Sequence, residues 1–83
     1  MNFIEVLDTA AAGGSDYALS KKLNLSRQMV CHFRNGRKIP SDEVLDKMAE
    51  IANLEPIKVY LAAYAEKLGN PEIAEQFRGL ATH

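Results

Sequence analysis

The chain has 83 residues, of which 47% are hydrophobic and 25% charged, as expected for one small globular domain. It has no apolar run near the roughly 20 residues that a membrane span needs, and its acidic N-terminus is unlike a secretory signal or transit peptide. A single cysteine can form neither an internal disulfide nor a zinc cluster, so we expect a cytoplasmic protein without metal or cofactor.

Helical periodicity covers nearly the whole chain, and no stretch alternates as a β-strand does. The first predicted helix runs from Asn2 to Ala12 and is ended by Gly13-Gly14, because glycine adopts positive φ easily. Its apolar face is predicted to contain Phe3, Ile4, Leu7 and Ala11.

Two short helices are predicted next. Ser15 or Asp16 caps the second helix, and Ser26 caps the third, which Asn35-Gly36 ends. Between them, Asn24 tolerates the left-handed backbone that a tight turn needs. The inward side chains of this segment are predicted to be Leu19, Leu23, Leu25, Val30 and Phe33.

Three further helices complete the prediction. Ser41 caps the fourth, the fifth runs from Pro56 to Leu68, and a short sixth runs from Pro71 to Leu80, followed by a frayed tail over 81–83. The apolar stripe of the fourth helix is Val44, Leu45, Met48, Ile51 and Ala52. The sequence therefore predicts an all-α fold, with a domain over 1–68 and a C-terminal helical extension over 69–83.

The basic residues are concentrated in one segment. Residues 17–41 contain six basic residues and no acidic one, whereas the rest of the chain contains four basic and eleven acidic residues. Such a segment has the charge of a phosphate-binding surface, although basic residues can also merely solvate one face of a helical bundle.

The segment DYALSKKLNLSRQMVCHFRNG, residues 16–36, resembles the helix-turn-helix of the phage Cro and repressor (xenobiotic response element) family. The shared pattern is Leu19-Ser20-x-x-Leu23-Asn24-Leu25-Ser26-x-x-x-Val30-x-x-Phe33-x-x-Gly36, followed by Ile39-Pro40-Ser41. The similarity extends over roughly residues 2–68 and implies a five-helix, lambda-repressor-like DNA-binding domain. Ser20 stands where the family usually has Ala, and it also provides a small side chain between the crossing helices. Asn24 stands where the family usually has Gly, and it also tolerates positive φ.

The resemblance implies that the third helix enters the DNA major groove. Arg27 and Gln28 in its first turn can read guanine and adenine, and His32 lies one turn after Gln28. Cys31, one turn after Arg27, can touch a thymine methyl group. The predicted base-reading residues are Arg27, Gln28, Cys31 and His32.

The flanks of this helix are predicted to bind phosphates, which fixes orientation without reading sequence. The predicted phosphate contacts are Tyr17, Ser26, Asn35, Arg37 and Lys38. Lys21 and Lys22 are either further contacts or solvated side chains.

Other interpretations stay open for three residues. Cys31 can be read as a redox sensor, because it follows Arg27 near the positive end of a helix. His32 could share a metal with His83, although the two lie far apart in the sequence. Met29 either borders the groove or packs against the second helix.

The fifth helix is more apolar than one core-facing side requires. We therefore expect a two-fold homodimer through the residues Tyr60, Leu61, Tyr64, Leu68 and Phe77, extended by Ile73 and Leu80. The alternative, which does not exclude the first, is that the sixth helix folds back over this surface.

The sequence has no nucleophile–base pair, glycine-rich phosphate loop or paired catalytic carboxylates, so we do not expect an enzyme. It predicts a transcriptional regulator, a phage or prophage repressor that binds a near-palindromic double-stranded DNA operator as a homodimer, with control by concentration, an antirepressor or another partner protein. The alternatives are an autoregulating antitoxin of the same fold and a small helical protein-interaction module that does not bind DNA.

Overall fold

The computed structural model of the chain describes residues 1–82. These residues form six α-helices and no strand: α1 (Phe3–Ala11), α2 (Asp16–Leu23), α3 (Arg27–Arg34), α4 (Asp42–Ala52), α5 (Pro56–Ala65) and α6 (Pro71–Thr82). The Cα radius of gyration is 11.8 Å, close to the ~12 Å of a single globular domain of this length. None of the six helices is both long and apolar enough to cross a bilayer.

The first four helices begin at a side-chain cap. The side-chain oxygens of Asn2, Ser15, Ser26 and Ser41 each accept the backbone N–H three residues later. At α1 the Glu5 side chain also accepts the Asn2 N–H, which completes a capping box. Ser15, and not Asp16, caps α2. Each of these four caps thus satisfies one of the free N–H groups in the first helical turn.

Three helices end at a residue with left-handed backbone. Asn24 and Asn53 end α2 and α4 with φ near 56°, as the turn chemistry of asparagine favours. Ala12 ends α1 with φ 52°, one residue before the predicted glycine pair, and Gly13 continues the turn with φ 82°. The helix therefore stops one residue earlier than the glycines alone indicate.

The core lies where α1 packs against α4 and α5 and where α2 packs against α1, α3 and α4. The prediction of inward residues is confirmed for Leu19, Leu23, Val30 and Phe33, which are all buried, whereas Leu25 packs against the core but is only half-buried. On α1 the apolar face is wider than predicted, because Val6 and Ala10 are fully buried as well, whereas Ile4 is only half-buried.

The C-terminal segment differs from the prediction. Helix α5 ends at Ala65 and not at Leu68, and α6 continues to Thr82 and not to Leu80. The prediction of a frayed tail is wrong for residues 81 and 82, because Ala81 is helical and fully buried. His83 lies outside the described residues. Burial of Ala74 and Ala81 fixes α6 against α5, so the sixth helix folds back along the fifth.

Two tyrosines of α5 attach it to α4. The Tyr60 hydroxyl donates to Oδ1 of Asp46 at 2.6 Å, and the Tyr64 hydroxyl donates to Oδ1 of Asp42 at 2.5 Å. The two rings form an edge-to-face pair with centroids 5.9 Å apart. The hydrogen bond to Asp46 raises the pKa of Tyr60 from 10.0 to about 12, and the bond to Asp42 raises the pKa of Tyr64.

These hydrogen bonds make stability fall at alkaline pH. Since the pKa of Tyr60 is higher in the folded state, its bond contributes fully below pH 10 and is lost as pH rises towards 12. We expect the free energy of unfolding, measured with urea, to decrease across this range. The decrease should be smaller in Tyr60→Phe, which has no hydroxyl proton to lose. An equal decrease in Tyr60→Phe and in the unsubstituted chain would contradict this.

Candidate nucleic-acid interface

Ser20 is a buried polar residue of α2. This side chain is 2% exposed, and its hydroxyl donates to the carbonyl oxygen of Tyr17 at 2.6 Å, so its burial leaves no unsatisfied group. The left-handed Asn24 turns the chain after α2, and the Leu25 N–H donates to the Ser20 carbonyl at 2.9 Å. The positive φ of Asn24 and this backbone hydrogen bond therefore shape the turn by which the chain leaves α2.

Helix α3 is held along one side only. Among the six helices of residues 1–82 it packs against α2 and α1, through the buried side chains of Val30 and Phe33. Arg27, Gln28 and Cys31 are exposed, as predicted for base-reading residues. Met29 is half-buried against the core, so it does not share their exposure.

His32 differs from the other three predicted base-reading residues. It lies one turn after Gln28 but is only partly exposed, and its Nδ1 atom is enclosed without a hydrogen-bond partner among the described residues. Its backbone carbonyl accepts the N–H of Arg37 at 2.9 Å and the N–H of Lys38 at 3.4 Å. The alternative of a metal shared by His32 and His83 involves a residue, His83, that lies outside the described residues.

The side chain of Asn35 forms a hydrogen bond with Cys31. Its Nδ2 donates to the Cys31 sulfur at 3.4 Å, a weak hydrogen bond across one helical turn. Both side chains remain exposed, and the second N–H of the Asn35 amide is available for a phosphate contact.

Arg34 has a structural contact that the sequence analysis missed. Its Nε and Nη2 donate to the Asp16 carboxylate at 2.8–3.1 Å, and its Nη1 donates to Asp8 at 2.9 Å. The hydrogen bonds that Arg34 donates to Asp16 are the main reason that the pKa of Arg34 is raised. The available signal was that Arg34 follows Val30 by four residues, which places it on the inward side of α3.

The loop after α3 is fixed beside that helix. Gly36, with φ 74°, lets the Arg37 N–H reach back to the His32 carbonyl. Pro40 is buried and Ile39 packs against the core, so both ends of the Arg37-Lys38 pair are held. Between this loop, α3 and α4 lies an apolar groove of about 280 Å³, lined in part by Leu25, Met29, Phe33, Ile39, Pro40 and Val44.

The structure changes which basic residues are available to an anion. Arg34 is occupied by two aspartates, whereas Arg27, Arg37 and Lys38 are exposed and form no ion pair within residues 1–82. The Lys21 amine lies 5.0 Å from the ring centroid of Tyr17, which is itself 55% exposed. Ser26, at the positive end of α3, is exposed, and its hydroxyl caps the helix by accepting the Met29 N–H at 3.1 Å.

The predicted dimer residues are all half-buried within the single chain: Tyr60, Leu61, Tyr64, Leu68 and Phe77. The two tyrosines contact α4, and α6 covers part of α5. Apolar surface nevertheless remains, since Ile57 and Leu80 are each 60% exposed and Ile73 is 38% exposed. Folding back of α6 thus leaves some of the predicted apolar surface in contact with solvent.

The chain was compared with known families, proteins and structures. No protein-family model, no curated protein and no solved structure matches it.

The contacts of Arg34 predict a loss of stability when the guanidinium is removed. We expect Arg34→Met to lower the free energy of unfolding by about 1–2 kcal/mol, less than for a fully buried pair because water screens side chains that are about one-third exposed. The loss should shrink in 1 M salt. Urea unfolding of both proteins measures it.

Arg37→Met is the matched control, because Arg37 carries the same charge nearby without an ion pair. Its effect on stability should be within about 0.5 kcal/mol. Equal losses in the two variants would show that the contacts of Arg34 do not stabilise the fold.

Proposed function

We propose that this chain is a sequence-specific DNA-binding transcriptional regulator, a repressor of phage or prophage type. The observation that carries the proposal is the geometry of α3. Because α3 is anchored along one side by Val30, Phe33 and Arg34, its opposite side is left free, with Arg27 and Gln28 exposed in the first turn. A helix held in this way suits insertion of its N-terminal end into a major groove, as in a helix-turn-helix.

The proposed base contacts follow from the donor and acceptor groups of these side chains. Arg27 can donate twice to guanine O6 and N7, and Gln28 can pair with adenine N6 and N7. Cys31 offers a small, weakly polar surface to a thymine methyl group. His32 completes the set, one turn after Gln28.

The proposed phosphate contacts lie at both ends of α3. Ser26 stands at the N-terminal end, where the free N–H groups of the helix favour an anion. Arg37 and Lys38 stand at the other end, exposed and unpaired within residues 1–82. Tyr17 is exposed on α2, and Asn35 can contribute the second N–H of its exposed side-chain amide.

One such domain contacts too little DNA for strong specificity, so we propose a homodimer on a near-palindromic operator, with the two α3 helices about 34 Å apart. The proposed interface is the apolar surface of α5 and α6, with Leu61, Leu68 and Phe77 flanked by exposed Ile73 and Leu80. Repression follows when the operator overlaps a promoter. The proposed location is the cytoplasm, with an antirepressor or another partner protein as a means of control.

The same exposed apolar residues favour a second candidate, a small protein-interaction module that uses α5 and α6 and does not bind DNA. An autoregulating antitoxin is a variant of the first proposal, because it would use the same DNA-binding surface. Binding to DNA at varied salt separates the module from the regulator.

The DNA-binding proposal predicts different effects for base-reading and phosphate-binding residues. We expect affinity to fall steeply as salt rises. Arg27→Ala should cost ~1–3 kcal/mol on the selected operator and relax the base preference at one position. Lys38→Ala should weaken binding to all sequences alike and reduce the salt dependence. Operator selection from random fragments, followed by titrations at several salt concentrations, measures both effects.

Lys47→Ala is the control, because Lys47 is exposed on α4 among acidic residues and should not affect binding. Absence of binding even at low salt would overturn the proposal. An unchanged operator preference in Arg27→Ala would overturn the role of Arg27 alone.

The dimer proposal predicts that a charge on α6 weakens self-association. Leu80 is exposed, so Leu80→Lys should leave the fold intact while a lysine in the apolar interface opposes association. Sedimentation equilibrium should show a dimer for the unsubstituted chain and a dissociation constant at least tenfold higher for Leu80→Lys. Thr9→Lys adds the same charge on α1 and should have no such effect. A monomer at all concentrations would refute the dimer.

A further inference from the structure

The imidazole ring of His32 has two nitrogens in different surroundings. The Nδ1 atom is enclosed by the protein and has no hydrogen-bond partner among residues 1–82. The Nε2 atom is not enclosed, and His32 as a whole keeps part of its surface exposed. This asymmetry distinguishes His32 from Arg27 and Gln28, whose side chains are free in solvent.

The enclosure of Nδ1 decides where the proton of the neutral ring is held. A neutral imidazole has one N–H donor and one acceptor nitrogen. Placing the proton on Nδ1 would bury a donor with no acceptor, and buried unpaired N–H groups are rarer in proteins than under-used acceptors. Placing it on Nε2 leaves only an unused lone pair inside and puts the donor where it can reach a partner.

We infer that His32 is a specificity-determining residue that presents an Nε2–H donor, and not an acceptor, to the operator. This inference rests on the proposed DNA-binding function. Its ligand chemistry is a hydrogen-bond acceptor in the major groove: guanine N7 or O6, adenine N7, or thymine O4. The amino groups of cytosine and adenine are donors there, so His32 does not pair with them.

The backbone of His32 is joined to the loop that carries Arg37 and Lys38. Its carbonyl accepts the N–H groups of both residues. The backbone positions of His32 and of the two basic residues are therefore linked. His32 selects an acceptor at one base pair, while Arg37 and Lys38 bind the neighbouring phosphates.

The tautomer can be measured without DNA. The chain has two histidines, so a full-length His83→Gln protein labelled with ¹⁵N-histidine gives the ring signals of His32 alone. At a pH where the ring is neutral, a long-range ¹H–¹⁵N spectrum should show Nδ1 as an unprotonated, pyridine-type nitrogen and Nε2 as a protonated, pyrrole-type nitrogen. A protonated Nδ1, or two averaged nitrogens, would overturn the inference.

The acceptor on the DNA is tested on the operator selected by the protein. Each purine is replaced in turn by its 7-deaza analogue, which lacks the N7 acceptor. Each guanine is also replaced by 6-thioguanine and each thymine by 4-thiothymine, because sulfur is a weaker acceptor than O6 or O4. One replacement should weaken binding of the unsubstituted chain about tenfold and leave His32→Ala unaffected, because that variant has already lost the donor. His32→Gln, which can place an amide N–H near the position of Nε2, should recover part of the lost affinity, whereas His32→Asn should not.

The two measurements separate this inference from the function it rests on. If the Nε2–H tautomer is found but every replacement weakens the chain and His32→Ala equally, His32 does not donate to a base and the inference fails while DNA binding stands. If no DNA is bound at any salt concentration, the regulator proposal fails and the role of His32 as an operator-reading donor fails with it, whichever tautomer the spectrum shows.

Discussion

The guanidinium of Arg34 joins three helices, because it belongs to α3 and donates to Asp16 on α2 and to Asp8 on α1. Among the helices of residues 1–82, α3 packs against these two alone. Its position therefore depends on a narrow set of contacts, which are the buried Val30 and Phe33, the half-buried Met29 and this charged pairing. Because all of them lie on one side, the opposite side is left free for the base contacts that we propose.

The local rules predicted much of this fold correctly. Serine caps and left-handed asparagine act within three or four residues, so Ser26 and Asn24 could be assigned from the sequence. The contacts of Arg34 could not be predicted in this way. Its partner Asp16 lies eighteen residues away in the sequence, and one residue outside the segment 17–41 that contains no acidic residue. Likewise, the sequence placed Ala81 in a frayed tail. Its burial could not be predicted, because it depends on the packing of α6 against α5.

The basic residues of segment 17–41 are grouped differently in the sequence and in the fold. In the sequence, residues 17–41 form one basic segment. In the fold, Arg34 turns inward and is neutralised, whereas Arg27 and the Arg37-Lys38 pair stay exposed at opposite ends of α3. Of the five cations that remain, Lys21 and Lys22 lie on α2, and the other three are divided between the two ends of α3. This division matches phosphates on either side of a groove better than a uniform basic face would.

The turn after α3 connects the two kinds of proposed contact. Gly36 allows the chain to reverse, and the His32 carbonyl accepts the N–H groups of Arg37 and Lys38, so the loop is hydrogen-bonded to the helix that it follows. Burial of Pro40 fixes the far end of the same loop. Phosphate contacts made by a mobile loop would tolerate several positions of α3 in the groove. Contacts made by this loop would permit fewer, because any shift of α3 also moves the backbone that carries the two cations. In the proposed complex the backbone after α3 therefore supports base selectivity, although it touches no base itself.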